Sequence, residues 1–282
     1  MAKRSAVDSA DPRLRRRDLR YRRRPMLRCR DAADIRAFVD DTGVCLLFPV
    51  QGLEVPNVYH AVAGFAKETS PNHDDPTISL TWRTKDQALG QGWWYYGKLL
   101  RGKATLVSLS LLPAFYALSD NFGDEDDYLA EYQAGTLSAE AKAIYEALRT
   151  HGPLHAVELK RKAGLYGDEN KTRFDRALTD LQGGLKVLPT GIADAGAWHY
   201  AFIYDLVARW APTLSEQARL YSRPAAREAI LRAHLRNVIW ASPRELERLL
   251  GWRRREIETG LEALVAAGVL LRTDDGVEIQ EK

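Results

Sequence analysis

Between residues 242 and 279 the spacing of apolar positions changes twice. Ser242 precedes Pro243 and stands three positions before Glu245, the start of a helix in which serine and glutamate satisfy each other's backbone N–H groups. Leu246, Leu249 and Leu250 then fall on one helical face, and Gly251 ends the run. A second helical stripe follows from about Arg253, through Ile257, Leu261, Leu264 and Val265, until Gly268. "VLLRTDDGVEI" reads as two short strands turning at Asp-Gly. Ahead of all this, "RPAAREAILRAHLRNVIWA" places Leu231, Leu235 and Val238 at helical spacing. Three helices closed by a hairpin make the winged-helix pattern.

The same order recurs upstream. "SAEAKAIYEALRTHG", "PLHAVELKRKAGL" and "DENKTRFDRALTDLQGG" read as three helices, the last with Asp168 as N-cap and Phe174, Leu178 and Leu181 facing inward. "LKVLPTGIADAGAWHYAFIYDL" reads as a two-stranded wing with a Gly-rich tip, and the acidic "NFGDEDDYLAEYQAG" as a link to what precedes. The first third is less regular. "DAADIRAFVDDTG" predicts a short helix, "VCLLFPV" a buried strand, and the stretch after Pro56 another helix. "WWYYGKLLRGKATLVSLSLLPAFYALS" predicts a hairpin turning at Arg101–Gly102–Lys103, then a helix. The expected fold class is α+β, mainly helical: three tandem winged-helix domains after a basic N-terminal tail. The boundaries are a disordered arm over 1–30 and domains over 31–128, 129–213 and 214–282.

Charge changes this picture at one end. Residues 1–30 hold twelve of the 41 Lys and Arg and three of the 38 Asp and Glu, a net +9, which leaves −6 on the remainder. A segment so charged cannot bury enough surface to fold alone, and it offers phosphate contacts through counterion release. Apolar content of 45% suits a globular chain, and no apolar run approaches the ~20 residues that span a bilayer. Two cysteines, Cys29 and Cys45, make no disulfide framework, so a cytoplasmic location is expected. No phosphate-binding glycine loop occurs. His151 and His155 stand four apart, but Gly152 and Pro153 interrupt the helix that would align them, so neither metal nor cofactor is expected. No heptad offers a dimer interface, and the chain is expected to be a monomer.

Candidate contacts to nucleic acid follow from basic residues on predicted exposed faces. Lys171, Arg173 and Arg176 lie on the outer side of the third helix of the middle domain. Arg253, Arg254 and Arg255 open the corresponding helix of the last domain, where cations oppose the helix dipole and phosphates would offset them. Trp93, Trp94, Tyr95 and Tyr96 alternate faces if they form a strand, so one pair is expected in the core. The other pair, with Lys98, Arg101 and Lys103 at the turn, is a candidate surface for a DNA backbone or a displaced base.

In the middle domain the chain resembles the winged-helix DNA glycosylases of the AlkZ/YcaQ type, which unhook interstrand crosslinks. The likeness rests on a helix junction at Gly152, Pro153 and Leu154, on the basic helix with Lys171, Arg173 and Arg176, and on a wing ending in Tyr204, Asp205, Leu206 and then Pro212. The resemblance implies tandem winged helices on duplex DNA, a nucleoid location in the cytoplasm, and no membrane contact. It also implies a catalytic Gln-x-Asp or Gln-x-Gln on the first strand, yet that signature falls on Phe48, Pro49 and Val50. The family's His-Glu landmark before an apolar segment falls on Val107 and Ser108. Neither Phe48 nor Val50 can position a water or act as a base, and Val107 and Ser108 replace the His-Glu pair. The expected function is therefore DNA binding in repair, set against two alternatives. One is a glycosylase with relocated groups, for which Glu54, Gln51 and Asp86 are the candidates. The other is a transcriptional regulator.

Overall fold

The computed structural model describes residues 11–72, 74–123, 126–196 and 198–280. It is an α+β protein, mainly helical. The chain opens with α1 (Pro12–Arg20), α2 (Ala32–Thr42), β1 (Val44–Leu46), α3 (Val58–Ala63) and α4 (Pro76–Gln91). There follow β2 (Trp94–Gly97), β3 (Thr105–Ser108), α5 (Leu112–Tyr116), α6 (Asp127–Gln133), α7 (Ala139–His151), β4 (Leu154–His155), α8 (Ala156–Lys162) and α9 (Lys171–Gly183). The remaining elements are β5 (Val187–Ala193), β6 (Ala201–Leu206), α10 (Val207–Trp210), α11 (Leu214–Ala218), α12 (Arg223–Val238), β7 (Trp240–Ala241), α13 (Pro243–Leu250), α14 (Arg254–Ala266), β8 (Leu270–Thr273) and β9 (Gly276–Ile279).

Two compact units arise from discontinuous stretches. The first comprises the described residues up to Lys85, Thr105–Leu111, and those from Arg223 onward; the second comprises Asp86–Ala104 and Leu112–Ser222.

In the first unit, α12, α13 and α14 enclose Leu231, Leu235, Leu246, Ile257 and Leu261 over a sheet of order β7-β9-β8. The predicted capping box is formed: Glu245 N donates to Ser242 Oγ at 3.3 Å, and Ser242 N donates to Glu245 Oε2 at 2.8 Å. Gly251 then ends α13 in the left-handed region at φ 71°. Gly260 lies where α14 meets α12, and a Cβ there would stand 2.6 Å from Leu231 Cδ1, so the glycine permits the close approach. β1 pairs antiparallel with β3, Val44 opposite Val107. Buried Asn237 fastens α12 to α2, its Nδ2 donating to Thr42 O at 2.7 Å.

The basic arm is the main correction in this unit. Residues 1–10 lie outside the described residues, but the rest of the arm is ordered. Asp11 caps α1, accepting from Arg13 N at 2.8 Å, and Tyr21 is fully buried in the core beside Leu231 and Leu235. Arg13 meets Glu278 at 2.7 Å and Asp275 at 3.0 Å, Arg16 meets Glu278 at 3.1 Å, and Arg20 meets Asp41 at 3.2 Å. The segment folds onto carboxylates supplied by the acidic body.

In the second unit, α7, α8 and α9 pack around Ile144, Leu148, Leu159, Phe174, Leu178 and Leu181, against a sheet of order β4-β6-β5. Two boundaries differ from expectation. Leu154 and His155 form a strand, pairing with Tyr204 and Ile203, before α8 begins. Asp168 sits in a short 3-10 turn, and α9 starts only at Lys171. The acidic link contains α6, whose Tyr128 is buried in this core. The turn at Arg101–Gly102 falls where expected, with both residues at positive φ.

Candidate functional site

The position where the family signature falls opens onto a cavity of about 410 Å³ inside the first unit. Phe48 does not face it as a polar group would. Its ring packs 5.5 Å from that of Tyr59 and 5.7 Å from that of Trp82. Pro49 and Val50 line the cavity with Glu54, and Arg17 of α1 and Arg23 just after it contribute to the wall. Trp240, Glu245 and Arg248 also line it. Glu54 lies 3.6 Å from Arg17 and 3.6 Å from Arg23, with its side chain still 45% exposed. Arg17 also stacks 4.9 Å over the Trp240 ring. A carboxylate set between two guanidiniums in a partly open cavity keeps part of its surface open to a ligand.

The histidines here are structural. His60 Nε2 meets Lys67 O at 3.0 Å and Nδ1 meets Asn57 Nδ2 at 3.2 Å, so both ring nitrogens are engaged. Burial, then the nearby Arg23, lowers its pKa to about 4. His234 is likewise lowered to about 4 by burial. Gln51 is exposed in the turn where Leu53 N donates to Val50 O. Asp86 belongs to the second unit, where it accepts from Tyr200 Oη at 2.8 Å. Val107 and Ser108 are buried in β3, and Ser108 N donates to Gly43 O at 2.8 Å. Neither offers an acid or base.

Burial settles the aromatic run. Trp94, Tyr95 and Tyr96 are all buried, so both faces of β2 are covered, and only Trp93 is half-exposed. Tyr95 Oη donates to Gln182 O at 2.6 Å, tying β2 to the end of α9. The expected exposed aromatic pair is absent because the strand is packed on both sides. Lys98 is half-buried, and desolvation, then Lys103, lowers its pKa. Arg101 and Lys103 are exposed at the turn, which adjoins α9: a Cβ on Gly102 would lie 3.7 Å from Thr179 Cγ2.

Lys171, Arg173 and Arg176 are exposed on α9. Arg173 Nε donates to Glu140 at 2.9 Å, whereas Lys171 and Arg176 make no ion pair among the described residues. On α14, Arg254 lies between Glu258 at 2.9 Å and Glu247 at 3.9 Å, and Arg253 N donates to Glu256 at 3.0 Å. Arg255 is exposed beside them. The structure therefore gathers the turn and α9 in one unit and leaves the α14 cluster, partly neutralised, in the other. Two features escaped the sequence: the cavity wall contributed by the arm, and Trp198, which stands 89% exposed between β5 and β6.

The motif residues Tyr204, Asp205 and Leu206 are buried in β6, and Asp205 is ion-paired with Arg209. They hold the unit together and do not face solvent. Among the described residues no group of three His, Cys, Asp or Glu could hold a metal, and no helix is long and apolar enough to cross a membrane. No curated protein matches the chain. Among solved structures it is similar to the DNA glycosylase AlkZ of Streptomyces sahachiroi, with 13% identity and a TM-score of 0.54 over 94% of this chain and 69% of that one. At that identity the likeness speaks for the fold alone. The profile of the AlkZ-related family matches residues 29–251, beginning after α1 and spanning parts of both units. With most of its length covered by that profile, the chain belongs to the AlkZ-related family.

Proposed function

We propose that this chain is a monomeric DNA-binding protein of tandem winged helices that acts in DNA repair without the base excision of AlkZ-type glycosylases. In this reading the winged-helix domains run over 31–128, 129–213 and 214–282. The elements α7 to β6 and α12 to β9 each supply three helices and a three-stranded sheet in the order a winged helix requires. The observation that carries it is α9, the third helix of its unit, which presents Lys171 and Arg176 to solvent without ion partners among the described residues. Affinity for duplex DNA is expected to fall with salt, and to depend little on sequence. Replacing Lys171 and Arg176 together by Ala reduces the salt slope by up to about 1.8, roughly 0.9 for each phosphate that is no longer neutralised. Fluorescence anisotropy at several salt concentrations measures both. Absence of binding at low salt would sink the proposal.

Loss of base excision rests on Phe48, which is packed between Tyr59 and Trp82 at a position where the signature needs a polar group. Alkylated or crosslinked duplex incubated with the protein, then treated with alkali, is expected to show strand cleavage at background. The cavity at Glu54 supports the second reading, a glycosylase with a relocated carboxylate. Cleavage above background that disappears in Glu54→Gln, with folding intact, would establish that reading instead.

A further inference from the structure

The β5–β6 connection, described except at residue 197, carries one almost fully exposed tryptophan. Six pairs set the register of its strands, the last Ala193 opposite Ala201. Past that pair, His199 Nδ1 meets Asp194 Oδ1 at 2.7 Å and closes the loop across its base. Gly196 at φ 79° and His199 at φ 50° hold the left-handed conformations that fold it back, and His199 N donates to Gly196 O. Behind the loop, Tyr200, Phe202 and Tyr204 form a ladder of rings, 5.8 Å and then 6.1 Å apart, and Tyr200 is anchored to Asp86. Trp198, next to His199 in the chain, stands 89% exposed. An indole displayed so fully has its stacking face available.

The surroundings select the partner. Gly196 adjoins α8, since a Cβ there would lie 3.6 Å from Val157 Cγ2. That helix ends in Lys160, Arg161 and Lys162; Arg161 and Lys162 are exposed and share the single carboxylate of Glu158 at 3.6 and 4.0 Å, which leaves the helix end net positive. The loop therefore adjoins a helix end with excess positive charge, on the same unit that carries Lys171 and Arg176. Apolar wedges on minor-groove binders insert between base steps and unstack them, at a cost that is smallest where a base is damaged or mismatched. We infer that Trp198 is a wedge that stacks at a disrupted base step of duplex DNA, giving this unit a preference for abasic or otherwise gapped stacks over intact duplex. This rests on the DNA-binding reading and adds the DNA structure it favours.

The test compares wild type, Trp198→Ala and Trp198→Phe. The probes are a matched duplex and the same duplex with a tetrahydrofuran abasic analogue at its centre, titrated by fluorescence anisotropy. Wild type is expected to prefer the abasic duplex. Trp198→Ala loses about ten-fold in affinity for it and less than about two-fold for the intact one, while Trp198→Phe keeps most of the preference. Acrylamide quenching of tryptophan emission is expected to drop when wild type meets the abasic duplex and to stay unchanged in Trp198→Phe. Because the side chain is exposed, both variants should melt with wild type. If wild type binds both duplexes and Trp198→Ala binds them identically, the wedge is wrong and the DNA-binding reading stands. If wild type binds neither duplex, that reading fails and the wedge fails with it.

Discussion

Replacing Trp94 with Ala is expected to lower the free energy of unfolding by about 3–5 kcal/mol. The side chain is 2% exposed in β2, inside a strand whose four residues are all buried, so truncation leaves a cavity with little room to collapse. Trp94 Nε1 is buried without a hydrogen-bond partner, so Trp94→Phe removes an unsatisfied donor as well as volume and should cost much less than Ala. Trp93 supplies the contrast. It is half-exposed and meets Trp94 edge-on with ring centroids 5.8 Å apart, so Trp93→Ala is expected to cost about 1 kcal/mol. Urea unfolding with unchanged m-values measures both. Equal losses at the two positions would mean that burial does not distinguish them, and the packing assigned to β2 would be wrong.

Acid is expected to destabilise the fold strongly, through two histidines kept neutral by burial. His60 and His234 are both lowered to about 4 in the folded chain, against an ordinary value of 6.5. Above pH 6.5 neither state protonates them, and their contribution to stability is fully present. Below it the unfolded chain takes up protons that the folded chain does not, and stability falls until the folded histidines titrate near pH 4. Each contributes at most about 3.5 kcal/mol across that window, at about 1.4 kcal/mol per pH unit. Asp18 acts in the opposite sense. Burial, outweighing Arg23 and Arg17, holds its pKa above the ordinary carboxylate value, so its protonation favours the folded chain as pH falls. A His60→Gln, His234→Gln double variant separates the two effects, because only the histidine slope should disappear. A stability flat between pH 6.5 and 4.5 in wild type, or an equal slope in the double variant, would overturn this assignment.

Much of the fold was legible because its signals are local. A serine and a glutamate three residues apart need only one turn of helix to find each other, and Gly251 needs only its own backbone to end that turn. The stripes through Ile257, Leu261 and Leu264 and through Phe174, Leu178 and Leu181 point to their cores whatever those cores contain. The start of α9 was less legible. Both Asp168 and Asn170 suit a helix start, and the chain placed a 3-10 turn between them before the helix proper.

The candidate site was legible only in part. Glu54 could be named from its place after the first strand, and Lys171 and Arg176 from their place outside the stripe of α9. That Glu54 stands between Arg17 and Arg23, in a cavity completed by Trp240 and Arg248, could not be named, since those residues approach it only through the fold. The arm shows the reason most plainly. Charge density alone predicts a solvated segment, yet the carboxylates that bind it include Glu278, 265 positions from Arg13. The aromatic run shows the same limit, because alternation predicts two faces but not whether the second is covered. By itself the sequence determined the capped start of α13, which faces are apolar and where the chain turns, since caps, periodicity and glycine act within a few residues. The tertiary structure alone decided which charges are neutralised, which aromatics are buried and which single tryptophan is displayed, because pairing and burial depend on partners that only the folded chain brings near.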